Sequence, residues 1–153
     1  MSSRRATCSG ISPPALADAT GAASAGVAPA TGARTVAILA DDLIWATRLA
    51  DAIRAAGATP RTVRRLADLE RLVGVPAGAG AAADVIVDLT ARAYDGVAAV
   101  KLASGAGARV VAVGQHDDAE LRRAATKAGA SRVFTYRALF EDGPRLLGRW
   151  LAG

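Results

Sequence analysis

The chain has 153 residues, of which 52% are hydrophobic and 22% charged, enough to bury one core and too few for two ordinary domains. No large apolar run nears the eighteen or so residues of a membrane span. The single cysteine, Cys8, excludes an intramolecular disulfide, and the single histidine, His116, excludes a multi-histidine metal site. The formal charge is +5, but Lys101 and Lys127 are the only lysines beside 17 arginines, and alanine is abundant. This reads as a coding bias more than a basic surface built for nucleic acid.

Residues 1–33 are rich in Ala, Gly, Ser, Thr and Pro and carry no helical or strand period. Ser9, Gly10, Pro13 and Pro14 break any continuous apolar stretch, so the segment is a poor secretory signal. It reads as a flexible tail before a domain spanning 34–153. Thr35 to Ala40 is a short apolar run suited to a strand buried on both faces. Ile44 to Ala56 reads as a helix with Trp45, Leu49, Ile53 and Ala56 on one face and Gly57 as its stop. Thr59 to Val63 is a second strand, placed on a sheet edge by Pro60, which cannot donate to a central ladder. Leu66, Leu69, Leu72 and Val73 form a second helical stripe ended by Gly74, and the small residues from Val75 to Ala83 form a loop.

Asp84-Val-Ile-Val-Asp88 is the third strand, Gly96 to Ser104 the third helix and Arg109 to Val113 the fourth strand. Asp117 and Glu120 have capping-box spacing before a helix that runs to Gly129. Arg132 to Thr135 is a fifth strand, and Asp142-Gly143-Pro144 opens a last short helix with Leu146, Leu147, Trp150 and Leu151. Five strand–helix units with short loops predict an α/β fold: a parallel, doubly wound five-stranded sheet in the order 2-1-3-4-5, covered by helices on both faces.

In such sheets, ligands sit beyond the carboxyl ends of the strands. Asp41 and Asp42 follow the first strand, and Asp88 ends the third, its neighbour in that order. Three carboxylates in one crevice repel unless a cation joins them, and Mg²⁺, an oxygen-seeking ion that keeps several waters, suits such a set. The competing reading makes Asp42 a helix cap and Asp41 and Asp88 solvated loop carboxylates. Gly114, Gln115 and His116 follow the fourth strand; Tyr136 and Arg137 follow the fifth. No dinucleotide or phosphate-binding glycine loop is present, and the Arg61, Arg64, Arg65 cluster reads as a solvated approach to a helix.

Residues 35–152 resemble the receiver domains of bacterial response regulators. The resemblance rests on Ala40-Asp41-Asp42 after the first strand, Val85-Ile-Val-Asp88 in the third, Asp95-Gly96 at the family's spacing, and Ala128-Gly-Ala-Ser131 before the fifth strand. It implies that Asp41, Asp42, Asp88 and the Thr90 backbone carbonyl would hold Mg²⁺. It also implies that Asp88 would be the phosphoacceptor, attacking a phosphoryl donor while the cation neutralises charge.

Three positions depart from the family. A Thr or Ser that reads the phosphoryl group is replaced by Gly114, the lysine after the fifth strand is replaced by Tyr136, with Arg137 one residue away, and Met-Pro after the phosphoacceptor is replaced by Ala91-Arg92. The resemblance therefore leads to a cytoplasmic, non-enzymatic, stand-alone signalling module of two-component type, with Asp88 as candidate phosphoacceptor and degraded switch residues. Its partners would be proteins: a histidine kinase, an output protein, or a second copy through the face of the fourth helix, fifth strand and fifth helix. A phosphorylation-independent pseudo-receiver is the alternative, and a small metal-dependent phosphoester enzyme a weaker one. Neither nucleic acid nor membrane is expected as a partner.

Overall fold

The structure, a computed structural model, describes residues 34–74 and 82–153. The tail reading of 1–33 and most of the loop reading of 75–83 lie outside the described residues. The elements in order are β1 (Thr35–Leu39), α1 (Leu43–Ala55), β2 (Thr59–Val63), α2 (Leu66–Val73), β3 (Asp84–Asp88), α3 (Gly96–Gly105), β4 (Arg109–Gly114), α4 (Ala119–Lys127), β5 (Ala130–Thr135) and α5 (Tyr136–Ala152). All five strands are parallel, in the order β2-β1-β3-β4-β5.

The central strands are continuous apolar runs because both of their faces are covered. Val36, Ile38, Ile86, Val111 and Val113 pack under α1 and α5 with Leu49, Ile53, Leu147 and Trp150. Ala37, Leu39, Val85, Val87, Val110 and Ala112 pack under α2, α3 and α4 with Leu69, Val100 and Ala125. Alternate residues of each strand thus feed separate cores, as a period of two requires. Strand β2 lies at an edge, with Pro60 opposite Val36.

Asp84, fully buried at the start of β3, joins β3 to the amino end of the sheet. Its carboxylate accepts from the Arg34 guanidinium and, at 2.9 Å, from Arg109 Nε. The Arg109 guanidinium also lies over the Trp150 ring, 5.3 Å from its centroid.

Three boundaries differ from the sequence reading. Helix α4 is capped by Asp118, which accepts from the Leu121 N–H at 2.8 Å, and not by Asp117. The capping-box spacing from Asp117 to Glu120 therefore lies one residue out of phase with the helix. Strand β5 begins at Ala130, with an irregularity opposite Val110/Val111 that leaves Ser131 as the extra residue.

The last helix starts at Tyr136, well before Asp142. The Thr135 hydroxyl oxygen caps it by accepting from the Ala138 N–H at 3.1 Å. The backbone of Asp142 is non-helical (φ −148°, ψ 34°), so α5 bends there. Gly143-Pro144 does open a helical segment, but it is the second half of a bent helix.

Candidate functional site

The carboxyl ends of β1, β3 and β5 surround an open pocket of 560 Å³ lined by Asp41, Asp42, Trp45, Asp88, Thr90, Arg92, Gln115 and Tyr136. The three aspartates read from the sequence therefore share one pocket, but each has a separate structural duty. Asp42 caps α1, accepting from the Trp45 N–H at 3.0 Å. Asp41 Oδ2 accepts from the Arg92 and Ala93 N–H groups at 2.8 and 3.2 Å, which ties the β1–α1 turn to the β3–α3 turn. Among the described residues, no three His, Cys, Asp or Glu side chains form a ready-made metal ligand set.

Asp88 is 2% exposed at the end of β3. Its Oδ1 accepts from the Thr90 N–H at 2.9 Å, from the Thr90 hydroxyl at 3.0 Å, and from the Tyr136 hydroxyl. The two hydroxyls also touch each other at 2.6 Å, so Asp88, Thr90 and Tyr136 form a closed triangle of oxygens. The Tyr136 ring packs on Trp45 with centroids 4.4 Å apart, which fixes the direction of the hydroxyl. Burial and the hydrogen bond to Asp88, in that order, push the Tyr136 ionisation well above its ordinary value, so the hydroxyl keeps its proton and stays a donor.

Tyr136 thus occupies the side of Asp88 where the resemblance implies a lysine, and it brings a donor without bringing a positive charge. Arg137 does not make good the difference. One residue along a helix is a turn of about 100°, and Arg137 points outward to pair with Glu141 at 2.9 Å. That pairing raises its already high ionisation.

Gly114 ends β4 within the buried sheet, and a Cβ built there would meet Leu89 Cδ1 at 3.5 Å, an ordinary contact. The position has room for a side chain but offers no hydroxyl. Gly96 is different: a Cβ there would fall 2.6 Å from Leu89 Cα. This close approach of backbone is what the Asp95-Gly96 pair permits, with Asp95 capping α3 through the Ala98 N–H at 3.0 Å.

Tyr94 was not singled out by the sequence reading. Its hydroxyl donates to the Leu39 carbonyl at 2.8 Å, and burial followed by the charges of Asp88 and Asp41 pushes its ionisation far up. The sole signal for it in the sequence is an aromatic immediately before Asp95-Gly96. Trp45, on the apolar face of α1, is half-buried at the pocket mouth, and Trp150 is buried in the core. His116 is an exposed loop residue, and Arg61, Arg64 and Arg65 are exposed as well.

No family profile and no curated protein matches the chain. Solved structures do. A response regulator receiver domain from Rhodospirillum rubrum superposes with a TM-score of 0.62 at 24% identity, over 77% of this chain and 93% of that one. The fold is that of a response-regulator receiver domain. The beryllofluoride-activated receiver domain of DrrB matches with a TM-score of 0.66 at 16% identity, over 80% of this chain and 100% of that one. A Burkholderia pseudomallei response regulator with a phosphorylated aspartic acid and a calcium ion matches with a TM-score of 0.60 at 16% identity, over 78% of this chain and 71% of that one. Among the described residues no helix is long and apolar enough to cross a membrane.

Proposed function

We propose that this receiver-fold chain is a cytoplasmic pseudo-receiver of the two-component kind, acting by binding other proteins while the phosphate switch at Asp88 is silent. The observation that carries the reading is the Tyr136–Asp88–Thr90 triangle, which holds the candidate phosphoacceptor with neutral donors. Attack by a carboxylate on a phosphoryl donor brings two anions together, and catalysis of such a step is mostly electrostatic. Replacing a charged partner by a neutral one forfeits roughly 1–2 kcal/mol, or about five- to thirtyfold in rate or population. A phosphoryl group on Asp88 would also find no hydroxyl at Gly114, so the contact that the resemblance implies for the switch at that position would be missing.

The residues that would hold Mg²⁺ are Asp41, Asp42, Asp88 and the Thr90 carbonyl. When bound, the ion would neutralise charge at Asp88. The donor set suits a hard cation: hydrogen bonds fall on Asp88 Oδ1 and Asp41 Oδ2, leaving one oxygen on each without one among the described residues. That same free oxygen on Asp88 favours a second reading, in which Asp88 is a working phosphoacceptor served by a histidine kinase. Leu43, Ile44 and Phe140, exposed by 65%, 68% and 63%, supply apolar surface on α1 and α5 for a protein partner, whether kinase or output protein.

The test is incubation with acetyl phosphate and Mg²⁺, read by intact mass. The wild-type chain is expected to stay unmodified, and Tyr136→Lys to gain a phosphoryl adduct that Asp88→Asn abolishes. A stable wild-type adduct dependent on Asp88 would establish the second reading instead.

A further inference from the structure

Strand β5 forms the other edge of the sheet and, among the described residues, pairs with β4 alone. Two adjoining clefts flank it. One, of 480 Å³ between β5 and α5, is lined by Arg109, Arg132, Arg149 and Trp150. The other, of 760 Å³ between α4 and β5, is lined by Arg122, Arg123, Lys127 and Arg132. No Asp or Glu among the described residues lines either cleft. Of these cations, only Arg109 has an ion-pair partner among the described residues, and it shares that partner, Asp84, with Arg34.

A second observation points the same way. Among the described residues, three buried side-chain nitrogens lack a hydrogen-bond partner: Arg109 Nη2, Arg122 Nε and Trp150 Nε1. All three belong to residues that line these clefts. Buried donors without acceptors are costly and rare in folded proteins. This face therefore has surplus positive charge, surplus donors and an open strand edge.

Three occupants compete for it. A second copy placed face to face would bring arginines against arginines. Nucleic acid would supply phosphates, but it cannot answer a strand edge, which presents donors and acceptors in alternation. The aromatics of this face, Phe134 and Trp150, are half-buried and buried, so they offer no platform for bases. An acidic polypeptide meets every requirement, with carboxylates for the arginine forks and a backbone for the edge.

We propose that the β5 edge is a docking site for an acidic extended segment of another protein, which pairs with Arg132–Thr135 and places carboxylates in the two flanking clefts. The extra residue Ser131, whose hydroxyl is used by the Val110 carbonyl at 2.8 Å, marks the amino-terminal limit of that pairing.

The test uses the full chain and a labelled short peptide of alternating Glu and Val. Saturable binding that weakens with added salt is expected, with amide shifts at Arg109 and across residues 119–135 and 145–153. Arg132 and Arg149 are both exposed, and reversing them together (Arg132→Glu with Arg149→Glu) is expected to weaken binding roughly tenfold or more. Circular dichroism checks that fold, and Arg132→Gln alone, with a smaller loss, serves if the double variant misfolds. The matching Lys–Val peptide should not bind. Absence of saturable binding, equal binding of the Lys–Val peptide, or tighter binding of oligo-dT with the same amide shifts would overturn the proposal. So would sedimentation as a dimer through this face.

Discussion

The chain has two tyrosines, and both place their hydroxyls at the acidic end of the sheet, Tyr136 on Asp88 and Tyr94 on the Leu39 carbonyl. Each ionisation is pushed above its ordinary value, first by burial and then by the neighbouring carboxylates. Stability must therefore depend on alkaline pH. Below about pH 10 both the folded and the unfolded chain hold the phenolic protons, and this contribution is fully present. Above it the unfolded chain releases them while the fold retains them. The unfolded state then binds fewer protons, and stability falls as pH rises, by about 1.4 kcal/mol per pH unit for each tyrosine. Because Tyr136 is only half-buried, solvent screening narrows the range over which its share of that slope applies.

Removing the hydroxyl in Tyr136→Phe keeps the ring on Trp45 and removes one of these two contributions. The alkaline slope is expected to halve. At neutral pH the variant loses a hydrogen bond to a charged acceptor, worth about 1.5–3 kcal/mol before water replaces part of it. The assay is urea unfolding of wild type, Tyr136→Phe and Tyr94→Phe across neutral to alkaline pH, with tyrosinate absorbance followed on the folded protein. Tyrosinate should appear only as the fold melts. A tyrosine that ionises near pH 10 with the fold intact would refute the reasoning, because a hydroxyl that close to a buried carboxylate cannot lose its proton so easily.

Further consequences can be measured on single variants. Asp84→Asn leaves the Arg109 guanidinium against the Trp150 ring without its anion, and urea unfolding should show a loss of about 3 kcal/mol. Gly129 has φ +114°, and a Cβ there would fall 2.1 Å from Ser104 Oγ, whereas Gly57 has φ +84° and open space. Gly129→Ala should therefore cost about 2–4 kcal/mol and Gly57→Ala only about 1–2 kcal/mol in the same unfolding assay. Asp88→Asn removes the carboxylate that raises both tyrosines, so their ionisation should move down toward the ordinary range in a near-ultraviolet titration.

The fold was largely legible in the residues because strand burial leaves a plain mark. Asp84-Val-Ile-Val-Asp88 is a fully buried strand with polar ends, and its bounds were read correctly. Pro60 placed β2 at an edge for a reason that holds for any sheet. The start of α5 was missed because Gly143-Pro144 is the stronger local signal, while the true start depends on a Thr135 cap that only the turn geometry reveals.

The site was legible as a set of positions and not as a set of contacts. Asp41, Asp42 and Asp88 line one pocket, as the strand order implied. That Asp42 caps the first helix was the competing reading of the sequence, and it holds, whereas the bonds of Asp41 to the amides of Arg92 and Ala93 join two turns far apart in the chain and carry no mark in the sequence. The substitution at Tyr136 was visible, but its bond to Asp88 spans 48 residues and depends on the orientation given by Trp45. The same orientation turns Arg137 away, a difference of one helical position that decides whether the site holds a cation.

The most direct test of a silent switch at Asp88 is an amide-shift comparison with and without beryllofluoride and Mg²⁺. It is made on the wild-type chain and on Gly114→Thr with Tyr136→Lys, which restores a hydroxyl where there is room for one and an ammonium beside Asp88. The predicted result is a wild-type chain that changes little over residues 117–152 and a double variant whose α4, β5 and α5 resonances move together. Large shifts across those elements in the wild-type chain would contradict the account, since they would mean that the Tyr136–Asp88–Thr90 triangle itself reads the phosphoryl mimic.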